Sequence, residues 1–204
     1  MRRLIKTGLA VIIVLILGAG CQRQEPEVAL PLSEAEIQEA ITYGKSRGQL
    51  TANELLQDWT VDLGYEQGRG RAIFITPFAR VALLAWQAAK TGRDVNRQLV
   101  EIALREQVRF LHFRVSLYGD EPGFCRKARF ALNWDGQKVE PASGYVPAYG
   151  DFTRDYYVVA TGDIKFPRGS IPSDAEVRLE VTIPATKETK ENIIVFPFHL
   201  AAYR

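Results

Sequence analysis

Glu176-Val-Arg-Leu-Glu-Val-Thr-Ile183 alternates polar and apolar side chains without a break. In an extended chain this period of two puts the apolar side chains on one face, which predicts a half-buried β-strand. The same period runs through 113–117 and 130–134, and Asp135-Gly136 follows with the positive φ angles that a tight hairpin turn requires. Strands at these intervals, with no helical segment between them, predict an antiparallel sandwich.

Further strands are expected on both sides of this region. A third strand region runs from Tyr156 to Phe166, and a last one runs from Ile193 to Leu200. Pro197 has no N–H to donate to a neighbouring strand, so it favours an edge position for the last one. A short apolar run at 72–75 predicts one more strand upstream.

Before residue 112 the apolar period is helical. The stretches 33–36 and 51–54 begin with Ser or Thr and carry Glu three residues later. In this capping box the hydroxyl and the carboxylate each accept a hydrogen bond from a free backbone N–H, which predicts a helix start at both places.

Thr76-Pro77 predicts a third helix start, because threonine caps helices and proline is tolerated at the first helical position. Residues 78–89 are apolar on most sides of the predicted helix, which is typical of a buried helix. Gly92 is expected to follow its end, and Asp94 is expected to cap the next helix.

The order of these elements predicts an α+β fold, with N-terminal helices followed by an antiparallel β-sandwich-like region. A mainly helical region is expected over 33–111 and a β-rich region over 112–204, as one domain or two. Residues 21–32 contain two prolines and no periodic apolar pattern, which is typical of a tether.

Residues 1–20 have the layout of a secretory signal. Arg2, Arg3 and Lys6 precede an apolar run over 8–20, and small residues end it. The 15 residues from Thr7 to Cys21 make roughly 22 Å of helix, whereas a bilayer core is about 30 Å thick. A cleaved signal is therefore favoured over a transmembrane helix.

Leu17-Gly-Ala-Gly-Cys21 resembles the lipobox of bacterial lipoproteins, although the usual leucine lies one place nearer the cysteine. The resemblance implies cleavage before Cys21 and acylation of its sulfur and new amino terminus. It also implies, from Gln22, transfer to the outer membrane, facing the periplasm. The alternative is an ordinary signal followed by an incidental cysteine.

Two or more acyl chains hold a protein on a membrane without spanning it. Of 26 basic and 24 acidic residues, three basic ones lie in the signal, so the mature chain has 23 basic residues and a net charge of −1. A near-neutral domain lacks the basic footprint of nucleic-acid binding. We therefore expect the membrane, and an envelope protein or glycan, as partners, and no nucleic acid.

Few residues are suited to catalysis or metal binding. With Cys21 acylated, Cys125 has no disulfide partner, and it is either a buried apolar residue or a free thiol. Arg126 and Lys127 beside it are expected to lower its pKa.

His112 and His199 are the two histidines of the sequence, whereas a zinc site needs at least three protein ligands. The glycine-rich stretch 64–70 precedes a strand and lacks the Gly-Lys-Ser/Thr of a phosphate loop, so we expect an ordinary turn. We therefore expect no metal, no cofactor and no catalytic residue.

Aromatic residues are interspersed with Gly, Pro and Asp between positions 134 and 157. Rings on loops beside small polar residues make adaptable binding surfaces. The alternative is that these rings plug the open end of the sandwich. The possible binding residues are Trp134, Tyr145, Tyr149, Phe152, Tyr156 and Tyr157.

Three functional hypotheses follow. The first is a non-catalytic envelope lipoprotein with a binding or structural role. The second is an envelope hydrolase acting on glycan or peptide through Asp151 and Asp155 with Tyr149, which needs two carboxyls in one cleft. The third is an assembly factor that pairs through the edge near Pro197.

Overall fold

The computed structural model describes residues 31–66, 68–153, 158–185 and 190–203. It confirms the predicted α+β fold, with a sheet-rich C-terminal region and two antiparallel sheets. Two strands of the first sheet, at 60–62 and 70–75, lie between the second and third helices. The signal, Cys21, Asp155, Tyr156 and Tyr157 lie outside the described residues. The helices are α1 (Glu34–Ser46), α2 (Ala52–Leu55), α3 (Pro77–Lys90) and α4 (Arg97–Arg109), with short 3₁₀ turns at Gln57–Trp59 and Leu200–Ala202.

The predicted helix starts of α1, α2 and α3 are confirmed. At α1 the Ser33 hydroxyl accepts from the backbone N–H of Glu36, and the Glu36 carboxylate accepts from the N–H of Ser33 at 2.8 Å. A second capping box opens α2, and the Thr76 hydroxyl caps α3. These caps satisfy backbone donors that have no partner inside the helix.

The boundary between α3 and α4 differs in one residue from the prediction. Gly92 follows α3 with a φ of 64°, a left-handed conformation that glycine adopts at little cost. The predicted cap Asp94 is wrong, because Asn96 caps α4. Its side-chain oxygen accepts from the N–H groups of Gln98 and Leu99 at 2.9 and 3.2 Å.

The strands form two sheets, each antiparallel throughout. The first sheet has the order β1-β2-β3-β8-β6, with β7 also paired to β8, and the second has the order β10-β9-β4-β5. The strands are β1 (Thr60–Asp62), β2 (Gly70–Ile75), β3 (Phe110–Gly119), β4 (Arg129–Trp134), β5 (Gln137–Val139), β6 (Ser143–Tyr145), β7 (Asp151–Phe152), β8 (Val158–Pro167), β9 (Glu176–Ile183) and β10 (Asn192–His199).

The two sheets pack face to face around one apolar core. The rings of Phe74 and Phe113 lie 5.2 Å apart in it, and β9 and β10 contribute their alternate side chains. The predicted hairpin turn is confirmed, since Asp135 and Gly136 both have positive φ. The edge position predicted from Pro197 is also confirmed, because β10 is the outermost strand of the second sheet.

A second core lies between the helices and the first sheet. It holds the buried residues of α1, α3 and α4 together with Ile73 and Ile75 of β2. The alternate residues of β2, Ala72 and Phe74, belong to the sandwich core. The chain therefore has three layers, and residues 72–75 of β2 are all apolar because both faces of the strand are buried there.

Helices α1 and α3 approach closely at Gly44. A Cβ atom placed on Gly44 would lie 2.1 Å from the carbonyl oxygen of Ala82, far inside contact distance. Gly48, just beyond α1, has room for a methyl group, because its nearest neighbours would lie 3.5 and 3.6 Å away.

We predict that Gly44→Ala lowers the free energy of unfolding by about 1–3 kcal/mol, since the backbones must move apart. Gly48→Ala is the matched control and should change it by less than about 1 kcal/mol. Urea unfolding followed by circular dichroism measures both. Equal stability of Gly44→Ala and the wild type would contradict the close approach of α1 and α3.

Candidate functional site

Three of the predicted binding residues lie exposed along one margin of the first sheet. Tyr145, Tyr149 and Phe152 are 73%, 62% and 71% exposed, and we call them the aromatic edge. They belong to β6, β7 and the segment between these strands, and both strands pair with β8. The three rings do not plug the sandwich, so the alternative stated for them is wrong.

Hydrogen bonds and a close backbone approach fix the segment that carries the aromatic edge. The N–H of Gly150 donates to the carbonyl of Pro122 at 2.8 Å, and the thiol of Cys125 donates to the carbonyl of Pro147 at 3.1 Å. A Cβ atom on Gly162 of β8 would lie 2.0 Å from the carbonyl oxygen of Tyr145. The glycine therefore lets the segment cross closely over β8.

Trp134 does not join the aromatic edge. It ends β4 in the second sheet, opposite Gln137 of β5, and it packs half-buried against the sandwich core. Its position fits a core residue. Tyr156 and Tyr157 of the predicted set lie outside the described residues.

A cleft that the sequence analysis did not identify opens at the neighbouring end of the sandwich. Its volume is about 330 Å³, at the lower end of the range of small-molecule sites. We call it the end cleft. The β1–β2 loop contributes Gly68 and Arg69, β3 and the β3–β4 connection contribute Tyr118, Gly119, Asp120, Glu121 and Phe124, and the β9–β10 hairpin contributes Ile183, Lys190 and Asn192.

Hydrogen bonds join the walls of the end cleft. The side-chain amide of Asn192 donates to the carbonyl of Gly68 at 2.9 Å, and the N–H of Gly68 donates to the carbonyl of Tyr118 at 3.2 Å. Gly68 has a φ of 75°. The predicted glycine-rich turn is therefore confirmed as the β1–β2 loop, and it also forms one wall of the cleft.

The end cleft and the aromatic edge are separated by a single turn. Glu121 and Phe124 line the cleft. Between them, the carbonyl of Pro122 accepts a hydrogen bond from the N–H of Gly150. A Cβ atom on Gly123 would lie 3.8 Å from Cε1 of Tyr149. The two surfaces therefore share the β3–β4 connection as their common support.

A charged cluster occupies the helix-facing side of the first sheet. Asp163 accepts hydrogen bonds from Arg114 at 3.0 Å and faces the ring nitrogen of His112 at 3.2 Å. Burial opposes the ionisation of Asp163, but these hydrogen bonds outweigh it and hold its pKa below its usual value. Lys165 bonds Glu106 of α4 at 2.6 Å. This cluster ties α4 to the sheet.

The environment of Cys125 corrects the predicted effect of its neighbours. The side chain is buried, and burial raises the pKa of its thiol above the usual value. Arg126 and Lys127 are exposed, so their charges are screened by water. Of the two alternatives for Cys125, the structure favours the buried apolar residue.

Of the two carboxyls proposed for hydrolysis, Asp155 lies outside the described residues. Asp151 is exposed on β7, and it does not line the end cleft. Within the described ranges, no three His, Cys, Asp or Glu side chains are grouped as a metal site requires. The helices in those ranges include none that is long and apolar enough to cross a membrane.

Comparisons of the chain with models of protein families, with curated proteins and with solved structures find no match. Function is therefore inferred from the chemistry of the aromatic edge and the end cleft themselves.

We predict that iodoacetamide alkylates Cys125 at least about tenfold more slowly in the folded chain than in denaturant, because the thiol is buried and its thiolate is disfavoured. The Cys21→Ser background leaves Cys125 as the single thiol, and mass spectrometry measures the rate.

The exposed neighbour gives the control. With Cys125→Ala and Arg126→Cys in the same background, alkylation of the folded chain should approach the rate in denaturant. Rapid alkylation of native Cys125 would show that its thiol is open to solvent, against the structure.

Proposed function

We propose that this chain is a lipid-anchored, non-catalytic binding protein of the bacterial cell envelope, and that it contacts its partner through the aromatic edge. The observation that carries the proposal is that Tyr145, Tyr149 and Phe152 are each more than 60% exposed. They lie within ten positions of one another in the sequence, along one margin of the first sheet. Aromatic rings are favoured as interface anchors, because each buries a large apolar area at small entropic cost.

The way the aromatic edge is supported favours binding. The backbone behind the rings is fixed by hydrogen bonds at Gly150 and Pro147, so less conformational entropy is lost when a partner arrives. Rings that are mostly exposed contribute little to the stability of the sandwich. A partner that covers them removes apolar surface from water.

The anchor supports the location. A tether from Cys21 to Ser33 spans at most roughly 40 Å when fully extended, so lipid on Cys21 keeps the folded part close to the bilayer surface. With a net charge of −1 on the mature chain, attraction between opposite charges contributes little to partner choice. The proposed partner is accordingly a protein or glycan of the envelope that presents an apolar or ring-stacking surface.

The hydrolase hypothesis has less support. Hydrolysis of a glycan by two carboxyls requires them to flank the bond in a common cleft. Asp151 lies on the exposed strand β7, and Asp155 lies outside the described residues. The proposal therefore gives Asp151 a polar contact beside the aromatic edge and no part in catalysis.

We expect that intact protein from cells starts at Cys21 and carries fatty acid. Cys21→Ser should abolish incorporation of labelled palmitate, because the sulfur that accepts the lipid is gone, whereas Cys125→Ala should leave incorporation unchanged. Intact-mass spectrometry and labelling measure this. A chain that begins at Met1, or begins elsewhere without fatty acid, would rule out the anchor.

We expect the combined variant Tyr145→Ser, Tyr149→Ser, Phe152→Ser to lose its envelope partner. Recovery of that partner in a pull-down of the lipidated chain, or co-sedimentation with isolated cell-wall glycan, should fall at least about tenfold. Stability should change by less than about 1 kcal/mol, because the rings are exposed.

Helix α4 offers a matched control. Leu99 and Ile102 are 51% and 58% exposed and lie far from the aromatic edge in the chain. Leu99→Ser with Ile102→Ser should leave recovery of the partner unchanged. If both variants lose the partner equally, or if the aromatic variant keeps it, binding through the aromatic edge is refuted.

A further inference from the structure

We infer that the partner of the aromatic edge is a neutral, linear glycan, which lies across the first sheet from Tyr145 to Tyr65. The inference rests on the function proposed above and names the chemical class of the partner. The surface involved is the part of the helix-facing side of this sheet that the helices leave uncovered, and we call it the open face. Its members are Tyr65, Ser116, Tyr118, Tyr145 and Thr161.

The register of the strands places Tyr145 on the helix-facing side. Directly paired residues of antiparallel strands point to the same side of a sheet. Tyr145 of β6 pairs with Asp163 of β8, which pairs with Arg114 of β3. Arg114 pairs in turn with Ile73 of β2, and Ile73 lies in the core beneath the helices. Tyr145 therefore projects from the same side of the sheet as the helices.

The open face continues along β3 and β8. Every second residue of a strand lies on the same side, so Ser116 and Tyr118 share the side of Arg114. Ser116 pairs with Thr161 of β8. From Tyr118 to Tyr145 the face extends two strands across and four residues along, or roughly 17 Å, which an oligosaccharide of about four rings covers.

Tyr65 supplies an exposed ring that its neighbours hold in place. The residue is 55% exposed, yet its hydroxyl accepts a hydrogen bond from Arg71 at 2.9 Å. Its ring contacts the Tyr118 ring edge to face, with centroids 5.2 Å apart. A ring fixed in this way loses little entropy when a ligand covers it. Tyr65 and Tyr145 thus offer two aromatic faces against which the C–H groups of sugar rings can pack.

Hydroxyl groups lie between the two rings. The hydroxyl oxygens of Ser116 and Thr161 are 2.8 Å apart on the exposed surface, and the pair retains further donor and acceptor capacity. Tyr118 is 8% exposed, and its hydroxyl makes no hydrogen bond to any residue that the structure describes. Burial raises the pKa of this hydroxyl, so it stays protonated and able to donate. The hydroxyl groups of a glycan match such a surface, because each of them both donates and accepts.

Ion pairs neutralise the basic side chains beside the open face, which disfavours an anionic partner. Arg71 pairs with Asp62 at 2.8 Å, and Arg114 pairs with Asp163 at 3.0 Å. Single-stranded nucleic acid also stacks on exposed rings, but its phosphates require basic side chains that are open to them. Asp151, on the same side of the sheet beside β8, adds a carboxylate that repels anions.

The open face is also less suited to a protein partner. The centre of a protein interface is apolar and fully buried, whereas hydroxyls and ion pairs separate Tyr65 from Tyr145. A chain of β-linked pyranose rings is flat and presents C–H faces and hydroxyl edges together. It therefore matches both the rings and the hydroxyls of the open face.

The test titrates the full chain, purified from cells in a detergent without a sugar headgroup, with the tetramer of β-1,4-linked N-acetylglucosamine. Isothermal titration calorimetry measures the affinity. We expect the tetramer to bind, and the monosaccharide to bind at least about tenfold more weakly because it reaches a single ring. The tetramer of β-1,4-linked glucuronic acid keeps the linkage but carries a negative charge on every ring, and it should also bind at least about tenfold more weakly.

Substitutions assign the contacts. Tyr65→Ser and Tyr145→Ser should each weaken binding of the tetramer about three- to tenfold. Thr161→Val should weaken it about threefold through loss of the hydroxyl, whereas Thr161→Ser keeps the hydroxyl and should bind like the wild type. Ile193→Ser is the matched control, because Ile193 is also 55% exposed but lies on β10 of the second sheet, and it should change nothing. Circular dichroism checks that each variant is folded.

Three outcomes would overturn the inference: no binding of the tetramer at millimolar concentrations, equal affinity for the neutral and the acidic tetramers, or unchanged affinity in both Tyr65→Ser and Thr161→Val. If recovery of the envelope partner still depends on the aromatic edge in any of these cases, the partner class is wrong and the proposed function stands. Loss of that dependence would instead contradict the proposed function itself.

Discussion

Burial of strand β2 on both faces is the constraint on which the rest of the structure depends. Ile73 and Ile75 lie in the core beneath the helices, and Ala72 and Phe74 lie in the core between the sheets. A single strand of six residues therefore couples both cores. Because burial of a side chain as large as Ile or Phe contributes roughly 1.5–3 kcal/mol, a polar substitution at Ile73 or Ile75 weakens the core beneath the helices, and one at Phe74 weakens the core between the sheets.

The same strand also determines where the end cleft and the aromatic edge lie. The loop that precedes β2 forms one wall of the end cleft, and the strand's position beside β3 leaves β8 with a free margin. That margin is where β6 and β7 attach and where the aromatic edge projects. The helices pack on the other side of the first sheet, so they stabilise these surfaces without contributing the residues that form them.

Features fixed by local periodicity and turn chemistry were predictable from the sequence. Alternation in β9, the capping boxes and the turn at Asp135 and Gly136 all depend on residues within a few positions of one another. The cleft was not predictable, because its walls meet only after three distant connections converge. Trp134 was misleading for the same reason: it is near the aromatic edge in sequence, but β4 carries it into the other sheet. The Cys125 thiol shows that adjacent charges matter less than burial, which depends on the tertiary structure.

The short outer strands of the two sheets have a consequence for the membrane-anchored state that we propose. Strands β1, β5 and β6 have three residues each and β7 has two, while the longer outer strand β10 contains Pro197, which lacks an N–H. None of these margins offers a long ladder of free backbone groups to another chain. If lipids concentrate copies of the chain in two dimensions, as we propose, these margins disfavour aggregation through backbone pairing, and side chains determine which molecules attach.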